Sequence, residues 1–158
     1  MNIEGAIQAL VDAGVEFIVI GGWSAILNGS AYSTNDLDIC YARTSENLRR
    51  LTKALAPYHP RLRDLPSGLP FIWDQATLRN GTVFTLDTEL GKIDLLAEVS
   101  GLGTYDQMTA GSIATEAFNR KFRTLDLQSL IKAKRAAGRD KDLAVLPELE
   151  SLLEAEEP

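Results

Sequence analysis

Residues 21–39 read GGWSAILNGSAYSTNDLDI. An apolar run, Phe17 to Ile20, leads into this stretch and stops at Gly21-Gly22. The spacing predicts a short helical piece over Trp23 to Leu27, a turn at Asn28-Gly29, and then a strand that carries Asp36-Leu37-Asp38. In an extended strand residues i and i+2 point to one side. Asp36 and Asp38 therefore share a face, and Leu37, Ile39 and Tyr41 cover the other. Two neighbouring carboxylates repel unless a cation lies between them or one takes a proton. Hard divalent ions such as Mg2+ prefer carboxylate oxygens together with substrate phosphates, so the pair reads as a metal site that faces a phosphate.

The 158 residues suffice for one domain with a real core. We expect a single unit over 1–158, with a sheet core at about 15–125 and a helical segment at about 126–155. Apolar content of 45% and charged content of 24% are those of an ordinary globular chain. No apolar run is long enough to span a bilayer, and MNIEGAIQAL lacks the basic start of a signal peptide. One cysteine forms no internal disulfide, which fits a reducing cytoplasm. Cys40 reads as strand packing rather than a reactive thiol. A net charge of −6 argues against indiscriminate coating of nucleic acid. The charge is nevertheless segregated: half of the 16 Lys and Arg lie between Arg120 and Lys141, ahead of an acidic tail that runs from Asp142 to Glu157.

In chain order, Asn2 to Ala13 has helical spacing and Val15 to Ile20 reads as a buried strand. A helix starts at Thr44-Ser45-Glu46 and runs toward Pro57. Four of the six prolines fall between Pro57 and Pro70, which predicts an irregular connection. Phe71 to Arg79 reads as a short helix. Thr82 to Asp87 and Lys92 to Val99 form an antiparallel hairpin. Lys121 to Leu125 is a last short strand, and Asp126 caps a helix that ends at Gly138. Arg139 to Asp142 opens the next helix, which Pro147 either kinks or splits. Lys134 falls on the same stripe as Leu127, where a lysine either snorkels outward or faces an anion.

Asp94 stands in the apolar strand KIDLLAEV, where a carboxylate needs a reason. A salt bridge or an exposed face is the plain reason; completion of a three-carboxylate metal site with Asp36 and Asp38 is the sharper one. Transfer of a nucleotidyl group requires an activated hydroxyl, an aligned phosphorus and a neutralised pyrophosphate, and two divalent ions bridged by carboxylates supply all three. Asp36 and Asp38 would hold both ions, and Asp94 the catalytic one. Gly21 and Gly22 let backbone approach the phosphates, the helix behind them presents free N–H groups, and Ser24 adds a hydroxyl donor. The pair fits neither a dinucleotide fingerprint nor a Walker loop.

GGWSAILNG, then STNDLDI, GKIDLL and KAKRAAGRDKDL, together resemble the nucleotidyltransferases of the DNA polymerase beta superfamily. The likeness is strongest to the bacterial minimal nucleotidyltransferase and AbiEii-like toxin branch. It covers about 15–149 and is weakest across the prolines. It implies an α/β (α+β) nucleotidyltransferase fold, in which a small mixed sheet carries three Asp and C-terminal helices close the cleft. It further implies metal ligation by Asp36, Asp38 and Asp94, phosphate binding at Gly21, Gly22 and Ser24, and contacts from Lys134, Arg139 and Lys141 to the triphosphate. The implied cofactor is two Mg2+ ions, with Mn2+ as an alternative. The implied partners are an NTP, a hydroxyl acceptor in RNA, protein or a small molecule, and an antitoxin-like protein; no membrane partner is implied. The G-G-W start is similar also to lincosamide and aminoglycoside nucleotidyltransferases. Many relatives carry arginine two residues before the threonine of T-x-D-x-D, where this chain has Tyr32; Thr34 remains, joins the nucleotide-binding set and steadies the loop near Asp36.

His59 reads as solvent-exposed, and a single histidine with a single cysteine argues against zinc or Ser-His-Asp chemistry. Trp23 and Trp73 read as packing residues, Trp23 being the better placed to touch a ligand. The rival of a different class is a non-catalytic binding module that keeps the fold. Removal of Asp94 from the other two carboxylates, or burial of any of the three in a permanent bridge to arginine or lysine, would favour that rival.

Overall fold

In the computed structural model, which describes residues 1–66 and 68–156, Ile3–Asp12 (α1) opens the chain. Asn2 caps it by accepting a hydrogen bond from the Gly5 N–H. Phe17–Ile20 (β1) passes directly into Gly21–Leu27 (α2). Asp36–Tyr41 (β2) follows, then Ser45–Leu55 (α3), which Thr44 caps through the Asn47 N–H. After a 3-10 turn come Arg61–Leu62 (β3), Gln75–Arg79 (α4), Val83–Thr88 (β4) and Gly91–Leu96 (β5). Glu98–Val99 (β6) and Gly103–Thr104 (β7) make a separate ribbon beside Tyr105–Met108 (α5). Ser112–Ala117 (β8), Arg120–Leu125 (β9), Leu127–Ala137 (α6), Asp140–Ala144 (α7) and Leu146–Glu156 (α8) complete the described residues. Glu157 of the acidic tail lies outside them. No described helix is long and apolar enough to cross a membrane.

The main sheet has the order β3-β4-β5-β2-β1-β9-β8. It is mixed: β1–β2, β4–β5, β3–β4 and β8–β9 are antiparallel, whereas β2–β5 and β1–β9 are parallel. The period of two divides each strand between two cores. Phe17, Val19, Leu37, Ile39, Tyr41, Ile93 and Leu95 pack with α1 and α3. Ile18, Ile20 and Cys40 pack on the opposite face with Met108, Leu130, Ile131 and Leu149. Apolar residues therefore line both sides of β1, which explains why FIVI is unbroken.

Several expectations shift in detail. The hairpin forms, but its second strand stops at Leu96, and Glu98–Val99 turns away into the ribbon. The helix read over Phe71 to Arg79 contracts to Gln75–Arg79, because Asp74 takes the cap by accepting from the Thr77 N–H. Pro147 is the second residue of α8 and so starts a separate helix. Strands β3 and β8 are additions, both at sheet edges. Cys40 is fully buried, and burial pushes its thiol up to about 12, so it is a packing residue. His59 is exposed and sits beside the Glu89 carboxylate at 2.6 Å. The Trp73 indole donates to the Thr52 carbonyl, and Trp23 packs edge-on against Phe118, away from the cleft described below.

Candidate active site

Strands β2 and β5 run side by side with Asp38 directly opposite Asp94, and Asp36 two residues earlier on the same face. Leu37, Ile39, Ile93 and Leu95 fill the other face with no exposure, so the apolar positions fix which way the carboxylates point. All three aspartates open into one cleft of about 530 Å³. The acidic sheet face lines it together with Gly21, Gly22, Tyr32 and Thr34 and with the basic residues Lys134, Arg139 and Lys141.

The floor is electrostatically strained. Burial pushes the Asp38 carboxyl up to about 7, the Asp94 charge and a hydrogen bond with Asp94 push the same way, and Asp36 adds to them; Lys134 pulls it down. Asp94 Oδ1 is screened from solvent and accepts no hydrogen bond from the described residues. An all-oxygen donor set with an orphaned carboxylate oxygen suits a hard divalent ion. The three carboxylates do not converge on a ready-made centre, however: among the described residues no group of three His, Cys, Asp or Glu is arranged around one point. Arg63 Nη2 lies 3.0 Å from Asp94 Oδ1, at ion-pair distance without the direction of a hydrogen bond. Both side chains retain 19% exposure, so the contact is partly buried.

Gly21 and Gly22 are spatial requirements. Gly21 has φ +63°, and a Cβ there would collide with Asp38 Oδ2. A Cβ on Gly22 would come within 2.8 Å of the Tyr32 ring and 2.9 Å of Thr34 Cβ. Thr34 does steady the loop, its Oγ1 accepting from the Asp36 N–H at 3.3 Å. Tyr32 lies against Gly22 with 38% exposure. Its loop is tied to the end of the chain: Ser30 Oγ donates to Glu148 of α8, which also accepts from the Ala31 N–H at 3.0 Å.

Ser24 corrects the sequence reading. Its hydroxyl is fully buried, accepts from Thr124 Oγ1 at 2.7 Å and is not on the cleft wall. It braces α2 against β9, because the serine falls on the inner side of the helix.

The basic wall has an organiser that composition hid. Asp142, counted by sequence with the acidic tail, is 1% exposed. It accepts from Arg139 Nε at 2.6 Å and lies 3.4 Å from Lys134 Nζ. Burial alone would raise its pKa, but the Arg139 hydrogen bond and the charges of Lys134 and Arg139 outweigh it and hold the carboxyl low. Lys134 thus faces the cleft and an internal anion rather than snorkelling outward. Arg63 is the second residue missed; it lies in the proline-rich connection, where no periodicity marks it.

No family model matches this chain, and no curated protein matches it either. Solved structures do. TM1012 of Thermotoga maritima, a provisionally assigned nucleotidyltransferase, superposes with a TM-score of 0.57 at 14% identity, over 92% of this chain and 88% of that one. The lincosamide antibiotic adenylyltransferase LnuA, solved with lincomycin bound, superposes with a TM-score of 0.54 at 15% identity, over 92% of each chain. At such identities the likeness concerns the fold, and the architecture around the three aspartates is the nucleotidyltransferase fold.

Proposed function

We propose that this protein transfers a nucleoside monophosphate from an NTP to a hydroxyl acceptor in an Mg2+-dependent reaction. The observation that supports it most is the facing pair Asp38 and Asp94, with Asp36 beside them, in one cleft with Lys134 and Lys141. Asp36 and Asp38 would hold two Mg2+ ions, or Mn2+ in their place, with Asp94 on one of them. Bound there, the ions neutralise phosphate charge and make the incoming hydroxyl more acidic. The hydroxyl oxygen bonds to the α-phosphorus, the bond from that phosphorus to the bridging oxygen breaks, and pyrophosphate leaves. Asp94 would take the hydroxyl proton. Lys134, Arg139 and Lys141 meet the negative charge of the triphosphate, and Gly21 and Gly22 leave it room beside the floor.

The acceptor follows from the partition of label after incubation with each α-labelled NTP, Mg2+ and a cell extract: into RNA, protein or small molecules. The fold likeness to the lincosamide antibiotic adenylyltransferase favours a small molecule, and the net charge of −6 disfavours a large RNA. Label in RNA or protein would instead fit a toxin of the AbiEii-like kind with an antitoxin partner.

The Arg63–Asp94 contact and the unconverged carboxylates favour a second reading, a non-catalytic module that retains the fold. Thermal melts separate the two. An enzyme is stabilised by Mg2+ with NTP, and Asp38→Asn loses that response; a wild-type chain indifferent to every Mg2+–NTP pair is the module.

A further inference from the structure

We propose that Arg63 is an internal counter-cation that holds Asp94 while the cleft carries no divalent ion and is left on Asp87 alone when one binds. The inference rests on the metal-binding reading above. Three features lead to it. Arg63 Nη2 donates to the Leu86 carbonyl at 2.9 Å, and its 3.0 Å approach to Asp94 Oδ1 does not meet hydrogen-bond geometry, so that approach is a charge contact without a directed bond. A divalent ion satisfies such an oxygen better than a contact without direction does. A second carboxylate is already engaged: Arg63 Nε donates to Asp87 Oδ1 at 3.4 Å.

Asp87 is on β4 opposite Lys92, two residues beyond Thr85, which faces Asp94, so both carboxylates lie on one side of the sheet. Asp87 is 54% exposed, toward the outer end of that face. The Arg63 N–H bonds to the Thr85 carbonyl at 2.8 Å, which pins its backbone and leaves only the side chain to move. With no ion bound, the guanidinium relieves repulsion among Asp36, Asp38 and Asp94. A divalent ion brings more charge and shorter oxygen contacts than a guanidinium, and Arg63 then gives up Asp94 while keeping the Asp87 bond it already makes. The exchange makes metal affinity a property of Arg63 and Asp87, neither of which would touch the ion.

Calorimetric titration of the full chain with MnCl2 tests this, with wild type, Arg63→Gln, Arg63→Lys and Asp87→Asn compared. Arg63→Gln should bind Mn2+ roughly tenfold more tightly, because the competing charge is gone. Arg63→Lys should stay near wild type. Asp87→Asn removes the fallback partner and should weaken Mn2+ roughly threefold. Equal or weaker binding by Arg63→Gln, or equal tightening by Arg63→Lys and Arg63→Gln, overturns the proposal. If Arg63→Gln fails to fold, Asp87→Asn decides, and an affinity equal to wild type overturns it. Binding by wild type with unchanged affinity in Arg63→Gln sinks this inference alone, whereas no binding by either sinks the metal reading as well.

Discussion

Gly21 and Asp38 compete for the same space: the position a Cβ would occupy on Gly21 is held by the Asp38 carboxylate. The glycine at the end of β1 and the aspartate on β2 are thus one structural unit, though 17 positions separate them in sequence. Gly21→Ala should cost about 1–3 kcal/mol from the positive φ alone, and more from the collision. In urea melts, the added Asp38→Ala change should recover part of that loss. Strict additivity of the two changes would show that they do not interact.

The acidic floor carries a pH dependence with a defined sign. The native Asp38 carboxyl lies at about 7 against an ordinary 3.8. A carboxyl raised in the folded state favours folding at low pH, and that contribution is lost as pH rises from about 4 through about 7. In EDTA, Asp38→Asn should therefore gain stability relative to wild type between pH 4.5 and 7.5, roughly the span between those two values. A constant difference across that range would show that Asp38 is not perturbed.

Asp142 has the opposite sign. Its carboxyl is held low by Arg139 and Lys134, so its contribution is present above the ordinary carboxylate range and disappears as pH falls through its native value. Asp142→Ala should cost about 3 kcal/mol at neutral pH by leaving a cation poorly compensated. The difference from wild type should shrink in acid. If the protein binds NTP, the variant should also raise KM more than it lowers kcat.

Tyr41 is wholly buried and its hydroxyl has no partner among the described residues. Tyr41→Phe removes a desolvated polar group without opening a cavity, and should be neutral or stabilising by about 1 kcal/mol in denaturant melts. A clear loss of stability would mean that the hydroxyl is bonded to a buried water.

Local patterning made the centre of the fold legible. Alternation around Asp36 and Asp38 gave their common face, the turn residues gave the hairpin, and Asp126 and Thr44 marked helix starts that the caps bear out. What escaped depends on long-range geometry. Strand β8 is largely exposed at a sheet edge and shows no apolar alternation. Strand β3 has only two residues and exists because β4 supplies its partner. Ser24 reads as a donor beside a glycine pair, but helical rotation turns it toward Thr124. Arg63 acts through Asp94 and Asp87, and Asp142 through Lys134 as well as its near neighbour Arg139, in segments whose composition suggested a loop and an acidic tail.

Glu148 binds the Ser30–Ala31 turn from a helix that lies more than a hundred positions downstream. During synthesis, the loop bearing Tyr32 and Thr34 must wait for α8 to emerge from the ribosome before it is anchored. The strands that carry the aspartates can pair earlier, because β1, β2 and β5 all precede residue 97. A nascent chain therefore exposes an acidic face before its cationic wall exists, and whatever ion or chaperone meets it first encounters a negatively charged half-site.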